Sequence, residues 1–387
     1  LRREWGSLRT RARDLVAIAA YARATSTSEP LLDDRTWNDL NMDDVYSVLD
    51  RTESVVGQQV LYGRLRSARQ GNDLGAFEAL VMHATEDVPG RERVQLALSR
   101  LRAPAGYDLW WLAQPNALEA APWHVLFPVA GLGMLGLAAL VPFSPPAILL
   151  IVAGSLSSLA ARASIAHSLG VVAGAFRQLN PLVAAAEVLS DWPSSAAPLV
   201  GTLRQDVPRL SRLRRIARWA GRDPGAAVAG DLPALLFEYL NMVLWLDANA
   251  LFFGARELRV RAPELLRVIA AVGEIDAALS IASYRAGTAG WTRPTVGSAG
   301  PMVVNDVRHP LLPDAVPNSL TLTPPAGIVI TGSNMSGKST FLRTIGVTTI
   351  LAQTINTCLA SRYEAPLLVV RSCIGLADDP SAGKSYY

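Results

Sequence analysis

Apolar positions in the first third of the chain recur at mostly helix-like intervals. In LLDDRTWNDLNMDDVYSVLDRTESVVGQQVLYGRLRSA they fall at Leu40, Val45, Leu49, Val56, Val60, Leu61 and Leu65. Asn41 or Asp43 stands where a cap is expected for the helix carrying Val45 and Leu49. Upstream, RARDLVAIAAYARA has few breakers. Residues 1–121 therefore read as helical. The polar face then disappears. Residues 125–161 hold no charged side chain, and FSPP, with Pro145 and Pro146, interrupts them near the middle. Each half approaches the roughly 20 apolar residues that a bilayer span requires. The pattern predicts a transmembrane helical hairpin at 122–165. Arg100 and Arg102 before it, and Arg162 and Arg177 after it, place both ends on the cytoplasmic side. The competing reading is a hairpin buried in a soluble core.

Amphipathic spacing returns over residues 166–290. ALLFEYLNMVLWLDANALFF is strongly apolar, yet Glu238 and Asp247 interrupt it, so a buried helix is expected there rather than a third span. PELLRVIAAVGEIDAALSIASYRAG carries a clean stripe of Leu265, Ile269, Val272, Ile275 and Leu279. From 291 the pattern changes. PMVVNDV, SLTLTPP and GIVITG read as strands, FLRTIGVTTILAQTI as a helix, and APLLVVRSCIGL as a further strand. That succession opens an α/β domain. The expected organisation is helical core at 1–121, hairpin at 122–165, helical core again at 166–290, and an incomplete α/β nucleotide-binding domain at 291–387.

Composition sharpens parts of this picture. Among the 387 residues only 18% are charged, and the mean hydropathy is +0.24; both favour a chain with embedded parts. A net charge of +3 is too small to argue for nucleic acid by itself. Cys358 and Cys373 lack metal-type spacing and read as reduced, structural residues. The absence of an initial Met and the stop at GKSYY read as a fragment of a longer protein. In RLSRLRRIARWAGR, Arg209, Arg212, Arg214, Arg215, Arg218 and Arg222 alternate with Leu210, Leu213, Ile216 and Trp219. Such a helix suits phosphates or anionic lipid, and a merely solvated face is the plain alternative.

Gly332, Gly337, Lys338 and Ser339 fit G-x-x-x-x-G-K-[ST]. Glycines let the backbone bring its N–H groups against phosphate oxygens, and the following helix start adds partial positive charge. Lys338 supplies a point charge for the β- and γ-phosphates, and the Ser339 hydroxyl suits Mg²⁺. The candidate nucleotide-binding residues are Gly332, Ser333, Asn334, Met335, Ser336, Gly337, Lys338, Ser339 and Thr340. Lys338 and Ser339 are the catalytic candidates, and the expected cofactors are ATP and Mg²⁺.

TGSNMSGKSTFLR resembles the phosphate loop of the MutS family of DNA mismatch-repair ATPases, with Asn-Met inside the loop. VRHPLL at 307–312 resembles the family's Arg-His-Pro element, and IGLADDPSAGKSYY at 374–387 its signature segment. LNMDDVYSVLDRTESVVGQQVLYGRL and VGEIDAALSIA are similar to its helical core. The resemblance implies that Asn334 and Met335 contact nucleotide. It also implies that Ser385 reaches the γ-phosphate of a partner subunit, so that a homodimer forms the site, and that Val316 and Pro317 lie near the adenine. It implies action on DNA, for which Arg212, Arg215 and Arg218 are the candidate contacts.

Departures are plain. Ser333 stands where the family has Pro, and Pro380 where it has Leu. The Asp-Glu pair that orders Mg²⁺ and water in the family is not in the chain, which on its own would bind ATP and hydrolyse it poorly. No Phe-x-Glu precedes the core, so mismatch reading is not expected. The composite expectation is a membrane-tethered MutS-like ATPase at the cytoplasmic membrane, its ATPase domain facing the cytoplasm. It would have DNA as partner and no small-molecule substrate beyond ATP. The alternatives are an ABC-type transporter ATPase and a non-catalytic ATP-binding membrane scaffold.

Overall fold

The computed structural model describes residues 2–9, 11–25, 32–67, 74–115, 117, 122–192, 197–220, 239–297 and 300–374. The described chain forms two compact units. One contains Leu1–Leu96 with Gly273–Tyr387; the other contains Ala97–Trp192 with Ala197–Val272.

In the first unit, α1 (Leu15–Thr25), α2 (Asp34–Asp39), α3 (Met42–Leu49), α4 (Val55–Arg66) and α5 (Leu74–Glu86) form a helical layer. Leu40, Val45, Leu49, Val56, Leu61 and Leu65 are buried in it, as their spacing requires. Caps divide this stretch into short helices. The Asp33 carboxylate accepts from the Thr36 N–H to start α2, and the Ser54 hydroxyl accepts from the Gly57 N–H to start α4. Asn41 is the N-cap of α3, but it sits in a left-handed conformation and its side chain makes no capping bond.

The stretch Asp50–Ser54 is buried although every residue in it is polar. Hydrogen bonds explain this. Asp50 accepts from Arg13, Gln58 and Thr52. The Arg51 N–H donates to Ser280 Oγ at 2.7 Å, and Glu53 accepts from Gln95 at 3.1 Å. Asp276 accepts from the Glu53 and Ser54 N–H groups and from the Ser54 hydroxyl. Ser280 and Asp276 belong to a long helix that spans Leu246–Ala286, and the segment beyond Gly273 lies in this unit. A Cβ at Gly57 would lie 2.2 Å from Asp276 Oδ2. That carboxylate is fixed by three donors and cannot step aside. Gly57→Ala is therefore expected to cost about 2 kcal/mol by overpacking, read as a lowered denaturant midpoint with an unchanged slope.

The same unit holds a four-stranded mixed sheet in the order β1-β4-β2-β3. Its strands are β1 (Thr295–Val296), β2 (Met302–Val307), β3 (Asn318–Leu322) and β4 (Arg362–Ala365). β1 and β4 run parallel, whereas β2 pairs antiparallel with both β3 and β4. Met302, Val304, Val307, Tyr363 and Ala365 bury their side chains with Cys358 and Ala352. The expected strands at GIVITG and over most of APLLVVRSCIGL do not form among the described residues. Pro324 and Pro325 carry no ladder donor. Ile328, Val329, Leu367 and Val369 stay exposed, so pairing there would bury no apolar face.

The second unit carries the largest correction. Helices α7 (Leu126–Leu140) and α8 (Ala147–Ser190) follow α6 (Val88–Leu98) and are joined by a tight connection at 141–146. This hairpin is not transmembrane: among the described residues, no helix is long and apolar enough to cross a membrane. At 15 residues α7 spans about 22 Å, short of the roughly 30 Å hydrocarbon core. α8 does not stop where the apolar stretch ends but runs on as one helix of 44 residues, past Arg162 and Arg177. The expected location at the cytoplasmic membrane falls with the spans, and so does the membrane as partner. Met134 packs against Gly154, where a Cβ would come within 2.4 Å of the Met134 sulfur.

Further on lie α9 (Ala197–Asp206), α10 (Ser211–Ala220) and α11 (Leu246–Ala286). Leu265, Ile269, Val272, Ile275 and Leu279 of α11 are all buried, as the stripe requires. Of the two residues that argued against a third span, Glu238 lies outside the described residues. The last helix of the described chain, α12 (Lys338–Ile355), belongs to the first unit.

Candidate functional site

The glycine loop joins the end of β3 to α12. Within it Gly332, Met335 and Gly337 have positive φ, at 156°, 67° and 88°. Gly337 meets a conformation that disfavours any side chain. At Gly332 a Cβ would come within 2.7 Å of Ser336 Oγ. Met335 holds a left-handed conformation with its side chain fully exposed, a backbone cost that tends to persist at functional loops.

Gly337 is the N-cap of α12 and offers no side chain to its first turn. The first helical bond runs from the Phe341 N–H to Gly337 O at 2.9 Å. The N–H groups of Lys338, Ser339 and Thr340 precede it, at the positive end of an 18-residue helix. The Lys338 ammonium donates to Gly332 O at 2.8 Å, to Ser333 O at 2.6 Å and to Ser336 Oγ at 3.5 Å. It sits inside the ring of the loop rather than out in solvent. Ser339 is exposed one residue on.

A cleft of about 690 Å³ opens at this loop. Gly332, Ser336, Gly337, Lys338 and Thr340 line it, together with His309, Asp314, Val316, Asn318 and Ser319. Ser333, Asn334, Met335 and Ser339 lie on the loop outside the cleft wall, and Pro317 does not line it either. His309 is buried, and its Nδ1 accepts from the Leu311 N–H at 3.2 Å. Burial, helped by the charge of Arg343, holds its pKa below the ordinary histidine value. Its neutral form thus carries the proton on Nε2. Asp314, Asn318 and Ser319 give no sign of the cleft in the sequence, because an Asp or Ser in a turn-rich connection carries no periodic signal.

The residues present suit a polyphosphate. Three positive-φ positions, a helix mouth and one ammonium converge at the loop, the combination that binds anions. For Mg²⁺ the Ser339 hydroxyl is the protein donor at hand, and the described residues contain no His, Cys, Asp and Glu group that could hold a metal by itself. The ion would therefore rest on phosphate oxygens together with Ser339 and would neutralise their charge.

The run toward the expected trans segment is pinned to α2. The Asp39 carboxylate accepts from Ser372 Oγ at 2.7 Å and from the Ile374 N–H at 2.8 Å, and Asp39 O accepts from Arg343 Nε at 2.8 Å. Ser385 itself lies outside the described residues. Cys358 is buried and Cys373 exposed, both as free thiols.

In the second unit, α10 buries Leu213 and Ala217 and exposes Arg212, Arg215 and Arg218. Arg214 pairs with Glu187 at 2.5 Å, and Arg209 with Asp206 at 3.3 Å. Arg212, Arg215 and Arg218 make no ion pair among the described residues. Arg222 lies outside them.

No protein-family model matches the chain. Individual relatives do. A DNA mismatch repair protein MutS of Synechococcus sp. is 38% identical over 142 residues, covering 34% of this chain and 16% of that protein. A DNA mismatch repair protein MutS 2 of Halobacterium salinarum is 36% identical over 146 residues, 35% of this chain and 16% of that protein. A DNA mismatch repair protein MutS of Rhodopirellula baltica is 32% identical over 168 residues, 39% of this chain and 19% of that protein. The matches thus span under a fifth of the length of these curated relatives.

Proposed function

The chain is a member of the MutS family, and from that premise we propose that it binds ATP with Mg²⁺ at the Gly332–Thr340 loop as part of an ATP-dependent machine acting on DNA. One observation carries the nucleotide part: the Lys338 ammonium lies within the loop at the mouth of α12, beside a cleft large enough for a nucleotide. Lys338 and the first-turn N–H groups bind and orient the phosphates. Ser339 orients the ion. The β2–β3 connection, with Val316 at the cleft, supplies the wall for the base.

Completion of the site by a second copy, through Ser385, is part of the same reading. It derives from the family signature in the sequence. The two membrane alternatives, transporter and scaffold, lose their support with the spans.

Titration of the chain with MgATP by calorimetry tests the nucleotide reading. Saturable binding supports it, and an absence of heat at millimolar nucleotide ends it. The DNA part rests on the exposed arginine row of α10. Its expected signature is an affinity for duplex DNA that falls steeply with salt, each lost phosphate contact lowering the log–log slope by about 0.9. Replacing Arg212, Arg215 and Arg218 together with Ala should flatten that slope by roughly three contacts' worth. An unchanged slope would remove these residues from the interface.

A further inference from the structure

The far end of α12 is held by two buried arginines. Arg285, from the end of α11, donates through Nε to Thr357 Oγ1 at 3.0 Å. Its Nη2 donates to Asn356 O at 2.9 Å and to Ile355 O at 3.4 Å. Arg64, from α4, donates through Nε to Thr354 O at 2.6 Å. Thr354 O and Ile355 O belong to the last turn of the helix, whose carbonyls have no partner within it. A cation suits them because the helix dipole is negative there. Asn356 ends the helix in a left-handed conformation.

Both cations are themselves held. Arg285 forms a two-pronged pair with Glu78 of α5, each bond 2.7 Å, and stacks over Trp291. Glu78 also accepts from Asn356 Nδ2 at 2.9 Å. Arg64 pairs with Glu274 and lies over Phe77. The side chains of Arg285 and Arg64 are only 5% and 4% exposed.

Burying ion pairs is a poor way to gain stability, since an apolar contact of equal volume does as well or better. What such pairs supply is direction. Arg285 and Arg64 bind named carbonyls of one turn, so they fix both the axial position and the rotation of α12. The helix is stiff and about 27 Å long, so a shift at residues 354–356 moves Lys338 by a similar amount. We infer that Arg285 and Arg64 are positioning residues of the nucleotide site, holding the phosphate-loop helix where Lys338 and the first-turn N–H groups meet a polyphosphate together. The inference rests on the nucleotide reading above and adds to it a dependence on a cluster at the opposite end of the helix.

The test uses the full chain and MgATP. Wild-type binding is measured first, and failure there strikes the nucleotide reading itself. Given binding, Arg285→Gln is expected to weaken affinity about tenfold, with the helical circular dichroism retained and the unfolding midpoint well above the assay temperature. Destabilisation alone cannot produce that result, because a protein that stays folded keeps its intrinsic Kd. Arg285→Lys should recover part of the affinity, since it restores the charge but not the fork. A folded Arg285→Gln protein with wild-type Kd would overturn the inference. Should that variant fail to fold, hydrogen exchange on the wild type decides. MgATP is expected to slow exchange of the amides of residues 351–357, and saturating nucleotide without any change there would equally overturn the inference.

Discussion

Lys338→Ala should abolish measurable nucleotide binding while leaving the fold intact. Calorimetric titration with MgATP is expected to show an affinity at least about 100-fold weaker, equivalent to about 2.8 kcal/mol. The magnitude follows from what the ammonium does. A hydrogen bond to a charged group is worth about 1.5–3 kcal/mol, and at this loop the ammonium serves more than one acceptor. It bridges Gly332 O and Ser333 O, and a polyphosphate seated on the loop competes for the same N–H donors. The substitution removes the charge that meets phosphate and the tie that draws the loop into a ring. Stability should hardly change, because Gly332–Gly337 is exposed and contributes little to the core. Lys338→Arg separates the two effects. Its charge remains, but a planar fork cannot sit among the same carbonyls, so an intermediate affinity is expected. Wild-type affinity in Lys338→Ala would remove the loop from the binding site.

The loop was legible because its chemistry demands particular residue types. Few positions accept φ near 88° without a glycine, and Gly337 is one the sequence marks openly. The amphipathic faces were equally plain: the stripe from Leu265 to Leu279 and the positions from Leu40 to Leu65 are buried where periodicity places them, with Val60 only half-buried. Three things escaped. The apolar stretch at 125–161 looks like two spans because composition does not reveal where a helix ends. Only the structure shows α7 stopping after 15 residues and α8 running on. GIVITG has strand composition, but a strand exists only where a neighbour offers a ladder, and the described chain offers none there. Arg64 and Arg285 look like ordinary charges on helical faces. Their role depends on which carbonyls lie opposite, and those carbonyls come from residues 70–290 positions away in the chain.

Asp276→Asn should be among the most destabilising single substitutions in the chain, lowering unfolding free energy by about 4 kcal/mol through a broken buried network. Asp276 is fully buried, and every hydrogen bond it makes is accepted: from the Glu53 N–H at 2.9 Å, the Ser54 N–H at 2.8 Å and the Ser54 hydroxyl at 2.6 Å. An asparagine replaces one of those oxygens with an NH₂ group, so in either orientation a donor faces a donor. Ser54 also accepts from the Gly57 N–H at 2.9 Å, so the damage reaches the cap of α4. A protonated aspartic acid does not suffer in this way, because its hydroxyl oxygen still accepts. The distinction matters because burial, with the nearby Glu53 adding to it, pushes the Asp276 carboxyl up to about 7 from an ordinary 3.8. The folded state then binds more protons than the unfolded state between about pH 4 and 7. The stability contributed by this group is therefore full below about pH 4 and is lost as pH rises through 7. Asparagine does not titrate, so that slope should be missing from the variant. Urea unfolding at several pH values is expected to give a gap between the two proteins that is widest at about pH 4 and below and narrows steadily toward pH 8. A gap below about 1 kcal/mol throughout, the size of one ordinary hydrogen bond, would mean that Asp276 does not fasten α11 to α4.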